Sequence, residues 1–95
     1  MALRLRFTPG SLTNVSDIRA YIARERPHVA ELVRGRILES IALLQTVPRL
    51  GHRGRKQGTY EFVVPGLPYI IVYRIDIGDA DELVILRIVH AARDR

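Results

Sequence analysis

The chain has 95 residues, enough for one domain spanning 1–95, with a formal net charge of +5 and no cysteine. Apolar residues are 47% and charged residues 26%, a balance that fits a folded domain and excludes a disordered one. Disulfides, thiolate zinc sites and Cys nucleophiles are excluded outright. The longest apolar runs, such as Tyr69 to Tyr73, fall far below the ~18 residues of a membrane span, and MALRLRF lacks the apolar core of a signal peptide. These features imply a soluble cytoplasmic protein with no membrane partner. Its excess of basic residues suits RNA, DNA or an acidic protein segment.

In chain order, Leu3, Leu5 and Phe7 alternate with Arg4 and Arg6, the period of a half-buried strand that Pro9 and Gly10 end. From Ser11 the period lengthens. Leu12, Val15, Ile18 and Ile22 form a helical stripe, with Ser11 or Thr13 as N-cap and a stop near Arg26, before Pro27. Pro27 opens a second helix whose stripe is Val29, Leu32, Val33, Ile37, Ile41 and Leu44, closed by Pro48. Thr59 to Val64, Pro68 to Ile75 and Glu82 to Val89 are rich in β-branched and aromatic residues. Pro65-Gly66 and the Asp76 to Asp81 stretch provide the turns between them. The order β-α-α-β-β-β predicts an α+β fold: a twisted antiparallel sheet with a helical hairpin packed on one face.

Chemistry-bearing residues concentrate in two places. RLGHRGRKQGTYEF, residues 49–62, brings Arg49, Arg53, Arg55 and Lys56 together with three glycines. Gly51, Gly54 and Gly58 match neither a dinucleotide fingerprint nor a P-loop, so the cations point to phosphates or acidic side chains, or simply to a solvated connection. His90 ends the last strand in RIVHAARDR. It is an acid/base candidate with Glu61 as partner and Arg74, Arg87 and Arg93 as stabilisers of negative charge, or else a structural residue at a strand end. His28, His52 and His90 lack metal-ligand spacing, so neither metal nor cofactor is expected. Tyr69 and Tyr73 share a strand face, which suits core packing.

The stretch P-x-L-G-x-x-G-R-x-x-G-T-x-E-x-V-V-P-G-x-P-Y-I-I-V-Y-R, Pro48 to Arg74, closely resembles the RelE/ParE family of bacterial toxins. V-I-L-R-I-V-H-A-A-R-D, Val84 to Asp94, resembles the family's terminal strand, and D-I-x-x-Y-I-A-x-x-x-P, Asp17 to Pro27, fits its first helix. The resemblance implies a growth-arresting toxin of a type II toxin–antitoxin module, of the kind associated with plasmid stabilisation. A small cognate antitoxin would neutralise it by wrapping the helix pair and sheet edge, and operator DNA would be met only through that antitoxin. RelE-like members are ribosome-dependent mRNA endonucleases, whereas ParE-like members poison DNA gyrase. Such nucleases typically carry an Arg where Ile70 stands, many relatives have Arg where Tyr60 stands, and the terminal aromatic common in the nucleases is absent here. These departures favour gyrase inhibition, with Arg53, Arg55, Lys56, Arg74, Arg87 and Arg93 meeting target or antitoxin. In the nuclease alternative, His90 is general acid or base, Glu61 its partner, and Arg74 and Arg87 stabilise phosphate. A third possibility is an inactive module that only binds its antitoxin.

Overall fold

The computed structural model describes residues 2–93; Met1, and Asp94 with Arg95 at the end of the terminal motif, lie outside them. The elements are β1 (Arg4–Phe7), α1 (Pro9–Ala23), α2 (Pro27–Thr46), a 3-10 turn (Pro48–Leu50), β2 (His52–Arg53), β3 (Tyr60–Val63), β4 (Tyr69–Asp76) and β5 (Glu82–His90). They form one five-stranded sheet in the order β1-β5-β4-β3-β2, with the two helices against one face.

The α+β order is the one expected, but the sheet is mixed rather than wholly antiparallel. β1 runs parallel to β5, pairing Arg4 with Glu82 through Phe7 with Ile85, while β2 to β5 pair antiparallel. A parallel neighbour requires a long crossover, and the helical hairpin supplies it by carrying the chain from one sheet edge to the other. The short strand β2 lies in the stretch where the sequence predicts only a loop, since two residues carry no alternation.

α1 starts earlier than the sequence pattern indicated. Pro9 is its first residue, where a missing N–H costs nothing, and Thr8 rather than Ser11 or Thr13 is the N-cap, its hydroxyl accepting the Ser11 amide at 3.2 Å. Ser11 and Thr13 instead donate their hydroxyls back to the Thr8 and Pro9 carbonyls. α2 begins at Pro27 as expected and buries Ala30, Val33, Ile37, Ile41 and Leu44. Leu32 is 66% exposed although it belonged to the expected stripe. It precedes Val33 by about 100° of helical rotation, so only one of the two can face the sheet. Leu12 is likewise exposed.

The main core joins Val33, Ile37, Ile41 and Leu44 of α2 to Tyr69, Ile71 and Tyr73 of β4 and to Leu83, Ile85 and Ile88 of β5. Tyr69 and Tyr73 therefore pack as expected. The opposite, open face carries a smaller apolar cluster of Ile70, Val72 and Val89, with Leu86 beside it. Between Val64 and Tyr69 the chain turns with Gly66 at φ 76°, a left-handed position suited to glycine.

β5 contains one register shift, and it decides which way its side chains point. Val72 pairs with Arg87 but Tyr73 pairs with Ile85, so Leu86 is an extra residue in β5. Leu83, Ile85 and Ile88 consequently all face the helices, and Leu86 and Arg87 both lie on the open side. Among the described residues, no helix is long and apolar enough to cross a membrane.

Candidate functional site: a basic loop over the open sheet face

The basic loop is fastened at its entrance by a buried tyrosine. Tyr73 donates its hydroxyl to the Pro48 carbonyl at 2.7 Å and accepts the Gly51 amide at 3.0 Å. Burial pushes its pKa above the ordinary 10.0, opposed by the hydrogen bond from Gly51. Tyr60 stacks on Tyr73 with ring centroids 5.5 Å apart, and Arg49 donates to the Tyr60 hydroxyl at 2.8 Å. Gly51 has to be small, since a Cβ there would lie 2.6 Å from the Tyr73 hydroxyl and 2.7 Å from the Glu61 carbonyl oxygen. Farther on, the Gly54 amide bonds to the Thr59 carbonyl at 2.8 Å, and Gly58 at φ 82° makes the reversal that brings the chain into β3. The glycines thus shape a closed loop rather than a nucleotide cradle.

That loop overhangs a depression of about 290 Å³ on the open face, lined by Arg55, Lys56, Thr59, Glu61, Val72, Leu86 and Arg87. Three of the predicted cations converge here from two segments distant in sequence. Arg87 reaches it because of the β5 bulge. Glu61, 6% exposed, lies across β2–β3 from His52, whose Nε2 is 3.6 Å from its carboxylate. The arrangement offers exposed positive charge above an aliphatic floor, chemistry fitted to an anionic group carried on an apolar framework. Arg53, exposed on β2, lines a separate hollow of about 450 Å³ formed by residues 53–60.

The other predicted residues fall elsewhere. Arg74 is on the open face but is engaged: its Nε donates to Asp76 at 2.8 Å, and Arg6 reaches Asp76 at 3.6 Å and Glu82 at 3.4 Å. The bond from Arg74, with the nearby charge of Arg6, holds the Asp76 carboxyl below its ordinary value of 3.8. His90 pairs with Tyr69 across the β4–β5 ladder and meets its ring edge-on, centroids 5.5 Å apart, on the helix-packed side. Its Nδ1 accepts the Ala92 amide at 3.1 Å. His90 and the Arg87–Glu61 group therefore point to opposite faces of the sheet. Arg93 lies over the ring of Tyr21 on α1, its guanidinium carbon 5.4 Å from the centroid. Ile70, at the place where the resemblance would put a nuclease arginine, is 1% exposed in the open-face apolar cluster.

Sequence reasoning missed Tyr73 and His52 as supports of this site, and also Thr8 and Asn14, whose side chains hydrogen-bond to the β5 backbone on either side of the bulge. A signal for the bulge does exist: Leu83, Ile85 and Ile88 break strict alternation, which would otherwise put Arg87 in the core. Between α1 and α2 a wide groove of about 620 Å³ is lined by Phe7, Leu12, Val15, Arg19, Arg34 and Leu38 among others, with Arg19 paired to Glu31 across it. Among the described residues, no group of three or more His, Cys, Asp or Glu side chains could hold a metal ion.

Chains of two solved toxin–antitoxin structures share this fold. The chain superposes on a chain of the chromosomal ParDE TA system from P. aeruginosa with a TM-score of 0.83, at 21% identity and covering 94% of this chain and 96% of that one. It superposes on a chain of the toxin–antitoxin complex RelBE2 from Mycobacterium tuberculosis with a TM-score of 0.64, at 24% identity and covering 95% and 99% of the two chains. In sequence, "Putative toxin Y4kP" of Sinorhizobium fredii is 36% identical over 88 residues, 93% of this chain and 88% of that protein. Residues 5–95 match the family model described as "ParE toxin of type II toxin-antitoxin system, parDE". The chain belongs to the ParE toxin family of type II toxin–antitoxin systems.

Proposed function

We propose that this toxin arrests growth by ParE-like inhibition of DNA gyrase and is neutralised by an antitoxin. The observation that carries the reading is the division of the candidate nuclease groups between two sheet faces. Glu61 and Arg87 line the open-face depression, whereas His90 is turned to the helix side against Tyr69 with Nδ1 occupied. General acid–base cleavage needs the proton-transfer group within about 3 Å of the reacting oxygen, or one water away. A charge-stabilising arginine is also engaged, because Arg74 is bound by Asp76. What remains on the open face is a set of exposed cations, Arg55, Lys56 and Arg87, around the buried Glu61 and without the His90 imidazole, an arrangement suited to gripping a macromolecular target.

An antitoxin partner is supported by the fold likeness to a ParDE system and to a RelBE2 complex. The groove between α1 and α2, with Leu12 and Leu32 exposed on the two helices, offers apolar surface of the kind an amphipathic segment covers.

The test is purified toxin assayed with gyrase and plasmid DNA, in parallel with translating ribosomes and mRNA. Inhibited supercoiling with intact mRNA is the expected result, and His90→Ala is expected to arrest growth as fully as wild type. Cleavage of A-site mRNA with no effect on gyrase would overturn the reading.

A further inference from the structure

The bulge in β5 is held from α1. β1 ends at Phe7, opposite Ile85, and beyond that point the outer edge of β5 has no strand beside it. α1 supplies the missing partners. The Thr8 amide donates to the Ile85 carbonyl at 3.1 Å, and the Thr8 hydroxyl is shared between the carbonyls of Ile85 at 3.0 Å and Leu86 at 2.9 Å. About one and a half turns into the helix, the Asn14 side-chain oxygen accepts the Ile88 amide at 3.0 Å. The extra residue and Arg87 are thus bracketed by the side chains of the α1 N-cap, Thr8, and of Asn14 within α1.

This bracket decides the direction of Arg87. If β5 lost its bulge, continuing the alternation of Leu83 and Ile85 would turn Arg87 toward the core and Ile88 outward. A bulge that re-aims a side chain beside a binding site is a recurrent device. We propose that Asn14 is a positioning residue for Arg87: by accepting the Ile88 amide it fixes the bulge that sets the Arg87 guanidinium beside Arg55 and Lys56. Asn14 lines neither open-face hollow and belongs to the opposite layer, so it acts only through the backbone of β5. The inference rests on the reading that the open face meets the target, and it holds whichever target that is.

The test is a double-mutant cycle. Asn14→Leu removes the acceptor at similar volume, Asn14→Asp keeps one, and each is made alone and with Arg87→Ala. Potency is read as the toxin level needed for growth arrest, and thermal midpoints are measured in the same panel. Asn14→Leu should lower potency roughly tenfold to a hundredfold, the scale of losing one strong side-chain contact at an interface. Asn14→Asp should restore it, and Asn14→Leu should add no further loss once Arg87 is Ala. Equal losses in both backgrounds would mean a structural role alone and overturn the proposal, as would full potency of Arg87→Ala. A readout free of any target is the proton Overhauser contact between Arg87 and Val72, its partner across β4. That contact should weaken in Asn14→Leu and persist in Asn14→Asp; its persistence in Asn14→Leu also overturns the proposal. The gyrase assay on wild-type toxin separates failure of the target assignment from failure of this one.

Discussion

Tyr73 shows how one side chain can join the core to the site. Its ring is fully buried among helix and sheet residues, while its hydroxyl satisfies Pro48 and Gly51 at the entrance to the basic loop. Tyr73→Phe keeps the ring but leaves a carbonyl and an amide without that partner, so stability should fall by about 1–3 kcal/mol in denaturant titration. The same hydroxyl predicts an alkaline limit. Burial raises the folded pKa above the ordinary 10.0, so the unfolded chain ionises first and stability declines as pH rises past that value. In Tyr73→Phe this part of the alkaline decline should be missing, measured as unfolding midpoint against pH. His90 is the contrasting residue. Its place at the end of RIVH invited a catalytic role in the sequence, but sheet parity turned it to Tyr69 on the helix side. Which face a strand residue occupies depends on register and bulges, and these are fixed by neighbours distant in sequence.

Among elements, the segment from the 3-10 turn to β3 leaves no room for a Cβ at Gly51 or Gly54. Gly51→Ala would press a Cβ to 2.6 Å from the Tyr73 hydroxyl and 2.7 Å from the Glu61 carbonyl oxygen, one of them fixed backbone. A loss of about 1–3 kcal/mol is expected, the usual cost of overpacking. Gly35→Ala is the matched comparison: it lies inside α2 with nothing within 4 Å of its added Cβ, and should gain about 0.5–1 kcal/mol. Opposite shifts in thermal midpoint would confirm the contrast; equal shifts would refute it. Both helices and β1 were legible in the sequence from their periods, and β3, β4 and β5 from β-branched and aromatic runs between turn signals. β2 was not, and the bulge showed only as a break in the alternation of Leu83, Ile85 and Ile88, which does not say which residue is the extra one. Two residues hold no period, and a bulge is defined by the partner strand.

At the scale of the whole molecule, charge and topology act together. The net charge of +5 attracts acidic partners over distances set by screening, and Arg55, Lys56 and Arg87 gather part of that charge on one open face. The association rate with an acidic antitoxin should fall roughly tenfold as ionic strength rises from about 0.01 M to about 0.15 M, where the screening length drops from ~30 Å to ~8 Å. Stopped-flow mixing would measure it, and a rate indifferent to salt would show that apolar contact alone governs encounter. By itself the sequence determined the order of the two helices and of every strand but β2, the basic loop and, through Pro48 to Arg74, the toxin family. All of these are local in the chain or carried by a contiguous motif. Only the tertiary structure decided that β1 lies parallel to β5, that Arg87 joins Arg55 and Lys56, and that His90 faces away from them. Those facts depend on which strand is whose neighbour and on one inserted residue in β5, and no local pattern in the chain encodes a partner that lies across the sheet.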